Sequence, residues 1–342
     1  MYQLNTLSLR DEHATAWDEF VTAQQDGTFF HLAAWQDVIS AVGHQCYYLY
    51  ATVAGNIKAV LPLARVKSRL FGDALVSTPF CVYGGAVGEE AGKRFLEQEA
   101  VKLAQRLKVQ HLELRYKTAQ DNQFITRSQH AYFACELADS PESILAGIKK
   151  KQRAVIRHAL NESLNFTLDK QSEDFYQTYS ESVRNLGTPV FSKTFFNSIL
   201  QAFPAQSEIL TVRKQQHPVS SVLSFYYKGE VLPYYGGGIS EAKSLKSNDF
   251  MYYQLMCHAK ENKGCSRYDF GRSKIDSGAY QYKKHWGMTP VELPYQYQLI
   301  TASELPNLSP NNPKYQLFIK LWQKLPLAVS QWLGPQLSRY LG

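Results

Sequence analysis

The segment 267–287 holds the densest set of chemically active side chains in the sequence. It reads RYDFGRSKIDSGAYQYKKHWG and places charged groups among aromatic rings and glycines. Arginine and lysine side chains bind phosphate oxygens, and a cation beside a developing oxyanion stabilises the transition state of acyl transfer. The segment therefore indicates a site for acyl transfer or anion binding. The alternative is a solvated basic loop whose aromatic rings pack locally.

Within this segment, three residues are predicted to be catalytic. Lys283 stabilises the oxyanion, and Asp269 or Tyr280 orients an amine and relays its proton. Four further residues are predicted to bind substrate, with the first two holding an anionic portion of donor or acceptor: Arg272, Lys274, Lys284 and Trp286. No metal is expected, because the five cysteines form no CxxC pair and the histidines show no HExxH spacing.

A glycine run, Tyr235-Gly236-Gly237-Gly238, ends a predicted strand shortly before a predicted helix. Glycines let backbone N–H groups approach a ligand, and a helix N-terminus adds a positive dipole end. We predict that these residues cradle a phosphate or a carbonyl, with their N–H groups as alternative oxyanion partners to Lys283. A strand end shaped for close packing, or a bulge, is the other interpretation.

A second basic cluster occurs in GIKKKQRAVIRHAL, residues 147–160. On a helix, Lys149, Arg153 and Arg157 fall at i, i+4 and i+8, which is one face. This face is either an anion-binding rim at the mouth of the site or a solvated helix surface.

The elements that must position these residues occur twice in the chain. Tyr-Gly-Gly begins at Tyr83 and again at Tyr235, 152 residues later, each time after strand-like runs around a hairpin signal and before a helix and a short strand. The order hairpin, strand, glycine-rich exit, helix and strand is that of the acetyltransferase (GNAT) fold. We therefore predict an α/β protein of mixed sheets, built from two tandem GNAT-like domains.

The predicted domains are residues 1–140, residues 141–310 with the site, and an amphipathic helical tail, 311–342. Asp139-Ser140-Pro141-Glu142 marks the first border, because it combines a turn with a helix start. The tail has apolar stripes at helical spacing with Trp, Leu and Lys. It either closes the core of the second domain or lies on an anionic bilayer from 313 onward.

Composition limits the classes of function. The 342 residues carry 37 Lys and Arg against 30 Asp and Glu, a net charge of +7, which suits anionic partners. No stretch of about 18 apolar residues and no secretory leader pattern is present, so a cytoplasmic protein is expected. Nucleic-acid binding is the weakest interpretation, because no recognition motif accompanies the charge.

The chain resembles the FemA/FemB-related (FemAB) acyltransferases, and most closely the branch associated with the PEP-CTERM/exosortase system. The resemblance runs from about residue 27 to the C-terminus and rests on these motifs: LPLARVKSRLFGDALVSTPFCVYGG, ESVRNLGTPVFSK, VLPYYGGG, NDFMYYQLM, YDFGRSK, YQYKKHWG and NPKYQLFIKLWQKLPL. It implies twin GNAT-like domains and a functional lysine before an aromatic-Gly pair, which matches Lys283 or Lys284 before Trp286-Gly287.

The resemblance also implies what the protein acts on. Related enzymes move amino acids from aminoacyl-tRNA to an amine on a peptidoglycan precursor, and this branch lies beside exopolysaccharide genes. The expected donor is acyl-CoA or aminoacyl-tRNA, with no permanently bound cofactor. The expected acceptor is an amine on a cell-envelope or exopolysaccharide precursor, such as a lipid-linked amino sugar. The alternative is a catalytically silent GNAT-like module that binds such a glycan or precursor.

Overall fold

The computed structural model describes residues 1–8, 11–305 and 313–341, with side chains described from residue 316 in the last range. The chain forms two compact units. Unit 1 comprises Met1–Gln129, Glu292–Asn307 and Arg339–Gly342. Unit 2 comprises His130–Val291 and Leu308–Ser338. The domain borders predicted at residues 140 and 310 remain a prediction.

The described residues contain thirteen strands and twelve α-helices. The strands are β1 (Gln3–Leu7), β2 (Gln45–Val53), β3 (Asn56–Ser68), β4 (Gly72–Val76), β5 (Val87–Gly88), β6 (His111–Leu114), β7 (Ile125–Glu136), β8 (Leu164–Asp169), β9 (Ser207–Lys214), β10 (His217–Tyr227), β11 (Glu230–Gly238), β12 (Arg267–Lys274) and β13 (Pro290–Leu299). The helices are α1 (Ala14–Ala23), α2 (Trp35–Ala41), α3 (Glu90–Leu107), α4 (Pro141–Gly147), α5 (Lys150–Leu160), α6 (Glu173–Leu186), α7 (Lys193–Ala202), α8 (Ala242–Leu245), α9 (Ser247–Lys263), α10 (Gly278–His285), α11 (Pro313–Trp322) and α12 (Leu327–Ser338).

The sheet of unit 1 has the strand order β1-β2-β3-β4-β6-β13, with β5 on β3. All neighbours are antiparallel except β4 and β6, which run parallel. Helix α3 packs on β2, β3 and β6 and buries Leu96, Ala100 and Ala104 against the sheet. This is the helix that the sequence predicts after the first Tyr-Gly-Gly.

The sheet of unit 2 repeats that plan in the order β8-β9-β10-β11-β12-β7. Again one neighbouring pair is parallel, β11 with β12. A Cβ added at Gly236 would meet Tyr252 of α9, and one added at Gly237 would meet Ser182 of α6. Because successive residues of a strand point to opposite faces, α6 and α9 cover opposite faces of the sheet. The predicted α/β class with mixed sheets is confirmed.

The two Tyr-Gly-Gly segments do not occupy equivalent elements. Tyr235 and its glycines lie in β11, whereas Tyr83 and its glycines lie in the loop after β4. The hairpin turn at Gly55 joins β2 to β3, but the turn at Gly229 joins β10 to β11, one strand later in the common order. The repeated Tyr-Gly-Gly motif shows that a strand–loop–helix unit recurs in the chain. It does not show which strands of the two units are equivalent.

Candidate functional site

The site in unit 2 is built on a bulge in β12. Asp269 pairs with Ala134 and Arg272 with Tyr132, so two residues, Phe270 and Gly271, face a single residue of β7. Gly271 has a positive φ of 71°, a conformation that is available to glycine at little cost. The fully buried Asp269 carboxylate accepts a 2.8 Å hydrogen bond from the N–H of Gly271. The side chain of Asp269, the residue just before the bulge, therefore stabilises the bulge.

Lys283 reaches this bulge from the last turn of α10. Ser277 caps the start of that helix by accepting a hydrogen bond from Tyr280 N–H. Lys283 Nζ donates to the carbonyl oxygens of Gly271 and Arg272, each at 3.0 Å. An ammonium carries three donors, so two are used by these carbonyls and the third remains for a ligand.

Burial controls the charge of Lys283. The side chain is 9% exposed, and its Nζ lies 5.3 Å from the centroid of the Phe270 ring and 5.8 Å from that of Phe133. This desolvation lowers the pKa of Lys283 from 10.5 to about 7, although the Asp269 carboxylate acts in the opposite direction. The charged and neutral forms therefore coexist near neutral pH, which suits proton transfer and charge stabilisation in acyl transfer.

A buried hydrogen-bond network holds α10 against two other helices. The Asp249 carboxylate accepts from Tyr282 Oη at 2.8 Å and from Gln152 Nε2 at 2.6 Å. Burial raises the pKa of Asp249, while both hydrogen bonds lower it. Because these residues lie on α9, α10 and α5, the network sets where Lys283 emerges from its helix.

The sequence analysis missed the residues of this network, Gln152, Asp249 and Tyr282. Helix α9 has Lys246 at its N-cap and no side-chain cap bond, and the Asp249 carboxylate in its first turn is used by the network. The one signal in the sequence is that Asp249 is a carboxylate followed by a mostly apolar stretch.

The other predicted residues of 280–286 surround Lys283 on α10. The Tyr280 ring packs edge-on against Phe133 at 5.2 Å and lies 5.6 Å from Lys284 Nζ. Trp286 is buried against three aromatic rings, so in this structure it belongs to the core: Tyr252, Phe270 and Tyr282. Lys149 Nζ donates to the Lys284 carbonyl at 2.9 Å, which joins the start of α5 to the end of α10.

The predicted cations are dispersed around the bulge. Arg272 and Lys274 are half-buried on β12. Arg272 is the residue after Gly271, whose carbonyl accepts a hydrogen bond from Lys283. On α5, Arg153 is half-buried and Arg157 is exposed. The structure thus brings Lys283, Asp269 and Arg272 to one place, with the two α5 arginines on a neighbouring helix.

The glycine run lies inside β11 rather than in a loop after it. Its three residues pair with Val222, Ser221 and Ser220 of β10. Added Cβ atoms would meet Tyr252 Oη at 2.8 Å from Gly236, and Ala242 Cβ at 2.5 Å from Gly238. Close approach of the flanking helices therefore explains the absence of side chains at these positions.

The opposite edge of the same strand pairs with β12. The parallel ladder pairs Glu230 with Arg267 and Val231 with Tyr268, at the start of both strands. The later part of β11, including Tyr235 to Gly238, lies beyond these pairs.

In unit 1, the loop after β4 bonds to the end of β6 and to Arg115. Ser77 N–H donates to the Glu113 carbonyl at 2.9 Å, and the Ser77 hydroxyl accepts from Arg115 N–H at 2.8 Å. The Arg115 carbonyl accepts from Gly84 N–H, and its guanidinium donates to the Cys81 carbonyl at 2.8 Å. In unit 2 the equivalent strand, β11, instead continues through the glycine run.

The comparisons agree with this geometry. Residues 146–284 match the family described as acetyltransferase (GNAT) domain. The match begins just before α5 and ends at Lys284, so it spans the glycine run, the bulge and Lys283. It confirms the predicted acyltransferase class at the level of this domain. None of the curated proteins matches the chain.

Solved structures extend the likeness to nearly the whole chain. FemX has a TM-score of 0.68 at 14% identity, covering 92% of this chain and 100% of FemX. L-PGS from Bacillus licheniformis has a TM-score of 0.55 at 13% identity, covering 90% and 95%. A tandem GNAT protein from the clavulanic acid biosynthesis pathway has a TM-score of 0.55 at 10% identity, covering 89% and 100%. At these identities the likeness establishes the fold.

Across residues 1–8, 11–305 and 313–341, no group of three or more His, Cys, Asp and Glu side chains is placed to hold a metal ion. In the same residues, no helix is both long and apolar enough to cross a bilayer.

Proposed function

We propose that the protein is an N-acyltransferase that moves an acyl or aminoacyl group onto the amine of a cell-envelope or exopolysaccharide precursor. The observation that carries the proposal is Lys283, a buried lysine held on two carbonyls beside Asp269 within the GNAT-matching segment. GNAT domains use acyl-CoA as donor, and the FemX and L-PGS folds add aminoacyl-tRNA as the second candidate.

The proposed reaction is nucleophilic substitution at a carbonyl carbon. The neutral amine attacks the carbon of the thioester or ester, forming a C–N bond and a tetrahedral oxyanion. Lys283, in its cationic form, donates its third N–H to that oxygen. Collapse breaks the C–S or C–O bond, and the amine proton passes through Asp269 or Tyr280 to solvent or to the leaving thiolate or ribose oxygen.

The donor is proposed to lie along β11, beyond its two pairs with β12. An extended chain such as the arm of acyl-CoA would then lie beside Tyr235 to Gly238. Arg272 and Lys274, with Lys284, would then hold phosphate oxygens of donor or acceptor. Arg153 and Arg157 on α5 extend this positive rim, and Trp286 supports the site from the core.

The acceptor and its location complete the proposal. The resemblance to the PEP-CTERM-associated branch favours an amino sugar on a lipid-linked glycan. Such a substrate would place the protein peripherally at the inner face of the membrane, with residues 313–342 as the contact. No permanently bound cofactor is needed for this chemistry, because the donor carries the activated carbonyl.

The direct test offers both donors to the purified full-length chain. Radiolabelled acetyl-CoA and radiolabelled lysyl-tRNA are incubated separately with glucosamine, with UDP-glucosamine and with a lipid-linked glycan extract, and label in amide linkage is measured. Transfer from one donor is expected for wild type. Transfer should fall about 10²–10³-fold in Lys283→Ala, the usual effect of losing one oxyanion partner. Lys170→Ala, a change at an exposed lysine of unit 2, is the matched control.

The same experiment separates the enzyme from a silent binding module. A binding module would retain the glycan extract with measurable affinity, form no amide from either donor, and lose affinity rather than turnover in Lys283→Ala. That combination would overturn the proposal. Mass analysis of exopolysaccharide from a deletion strain then identifies the acceptor, because a missing acyl mass marks the sugar that is modified.

A further inference from the structure

The two C-terminal helices rest on unit 2 through one face. Arg184 of α6 donates to the Leu325 carbonyl at 3.0 Å, and Gln331 of α12 donates to Ser180 of α6 at 2.8 Å. A Cβ on Gly334 would lie 2.8 Å from the Val190 carbonyl, so α12 packs directly on the segment after α6. A Cβ on Gly187 would meet Ile319 of α11, so both helices are oriented on the same part of unit 2.

The opposite faces of α11 and α12 carry large apolar side chains in solvent. Leu317 is 62% exposed, Leu321 is 59% exposed and Trp332 is 73% exposed. Phe318 and Val329 are also exposed. Because the inner face of each helix packs on unit 2, the exposed side chains of both helices point away from unit 2. We call Leu317, Phe318, Leu321, Val329 and Trp332 the tail surface.

The charged residues of the tail itself have one sign. From residue 305 to the C-terminus the sequence contains no Asp or Glu, and it contains four cations: Lys314, Lys320, Lys324 and Arg339. Lys320 and Lys324 are exposed on the same two-helix segment as the apolar side chains. A segment that combines exposed apolar side chains with lysines is complementary to a partner that is anionic at its rim and apolar beneath.

We propose that the tail surface binds an anionic lipid bilayer at the boundary between headgroups and acyl chains. Exposed Trp and Leu side chains enter that boundary, and lysines with long stems reach the anionic headgroups above it. The helices lie flat, since each is short and fixed by its inner face to unit 2. This inference rests on the proposed function and deepens it, because it places the protein on the surface where a lipid-linked amine would be presented.

Vesicle flotation tests the inference with the full-length chain. Wild type is expected to float with vesicles of phosphatidylglycerol and phosphatidylcholine, and to float at least tenfold less with phosphatidylcholine alone or at high salt. The double variant Leu321→Ser, Trp332→Ser should reduce binding to the anionic vesicles at least tenfold. Lys320→Gln with Lys324→Gln should remove most of the preference for anionic vesicles.

Matched controls keep the result specific. Leu70→Ser changes a leucine that is 77% exposed in unit 1 and should leave flotation unchanged. Lys170→Gln changes an exposed lysine elsewhere in unit 2 and should also have no effect. Thermal melting of every variant should match wild type, because all of these side chains are exposed.

Two results would overturn the inference. One is wild-type protein that stays with the unbound fraction at low salt. The other is a concentration-dependent oligomer that the Leu321, Trp332 double variant dissociates without any vesicle binding, which would make the tail surface an interface between copies. The proposed reaction is tested separately: Lys283→Ala should still float, and the double variant should still acylate a water-soluble amine.

Discussion

At the scale of single residues, Lys283 is defined by what surrounds its ammonium. A lysine that forms an ion pair keeps a high pKa, whereas Lys283 contacts two neutral carbonyls in an aromatic setting. The shift from 10.5 to about 7 corresponds to about 5 kcal/mol of unfavourable burial of the charged form. The unfolded chain binds more protons than the native one between these two pKa values, so this lysine's contribution to stability improves as pH rises from about 7 to 10.5.

The same shift predicts a pH dependence of the reaction. Oxyanion stabilisation needs the cationic form of Lys283, so kcat/KM should fall as pH rises through about 7, after allowance for ionisation of the acceptor amine. Lys283→Arg keeps a charge at all these pH values, so its activity should be lower at pH 6 but should lack this decline. The measurement is kcat/KM against pH for both proteins with one soluble amine.

An unchanged decline in the Arg variant would assign the ionisation to another group. A wild-type rate that increases through pH 7, beyond the effect of the amine, would instead make neutral Lys283 a general base. Both outcomes are read from the pH profiles of kcat/KM for wild type and for the Arg variant. Wild-type profiles with acceptors of different amine pKa show how much of the pH dependence comes from ionisation of the acceptor.

Position 237 requires glycine because a neighbouring helix packs closely on it, and not because the chain turns there. A Cβ at this position would lie 2.5 Å from Ser182 Cβ and closer still to its hydroxyl oxygen. Gly237→Ala should therefore lower the free energy of unfolding by about 1–3 kcal/mol, the usual range for overpacking. Denaturant titration measures it. Gly147→Ala, which meets nothing within 4 Å, is the control.

A double-mutant cycle identifies the cause of that loss. Ser182→Gly removes the side chain that the new methyl would strike, at the cost of about 1 kcal/mol for a glycine in α6. The double variant should be more stable than the sum of the single changes predicts. Strict additivity would show that the Gly237 backbone, and not Ser182, is responsible.

At the scale of elements, the position of α10 depends on a carboxylate that belongs to α9. Tyr282→Phe removes one of the two hydrogen bonds that side chains donate to Asp249 Oδ1. Leaving a buried carboxylate oxygen short of a donor costs about 1–3 kcal/mol. The expected result is a loss of that size in unfolding free energy, together with reduced transfer activity, since α10 carries Lys283.

Tyr280→Phe is the matched control for stability. It removes the same hydroxyl from the same helix, but at a side chain that packs on Phe133 rather than on Asp249. Its unfolding free energy should stay within about 0.5 kcal/mol of wild type. Equal losses in the two variants would show that the Asp249 network does not hold the helix.

Elements with local signals were predictable from sequence, and long-range pairings were not. Ser140 accepts from Ser143 N–H with Pro141 in the first turn, and the hairpin turns at Gly55 and Gly229 have the expected positive φ. Each of these depends on two to four neighbouring residues. In contrast, strand alternation does not show that residues 296–299 pair with β6, or that Gln152 meets Asp249 across 97 positions.

For the candidate site, residue types were predictable but their contacts were not. The sequence analysis groups Lys283, Asp269 and Arg272 in the segment 267–287. The structure places all three at the β12 bulge. Nothing in the spacing shows that the Lys283 ammonium contacts carbonyls rather than Asp269. The bulge that creates these contacts depends on pairing with β7, which is distant in sequence.

At the scale of the whole molecule, the two units share one strand order but differ in the chain that follows the first strand of the parallel pair. In unit 1, residues 77–84 leave β4 as a loop that bonds to β6 and to Arg115. In unit 2, the equivalent strand β11 continues through the glycine run to Gly238. The match to an acetyltransferase (GNAT) domain, residues 146–284, lies within unit 2.

The tail gives the last prediction, because its two faces should behave differently. Its inner face contains the buried Trp322 and the contacts of Gln331 and Gly334 with unit 2. Each buried apolar side chain contributes about 1.5–3 kcal/mol. A chain that ends at Asn312 should therefore melt several degrees lower than wild type, and Trp322→Ala alone should cost about 3–5 kcal/mol.

The outer face should contribute nothing to the same measurement. Trp332→Ser removes a side chain of equal size that is 73% exposed, so its melting temperature should equal that of wild type. Differential scanning calorimetry of the three variants makes the comparison. If Trp332→Ser destabilised the protein as much as Trp322→Ala, the outer face would be part of the folded core. If truncation left the melting temperature unchanged, the helices would be attached without stabilising unit 2, and the fixed orientation on which the tail surface depends would be lost.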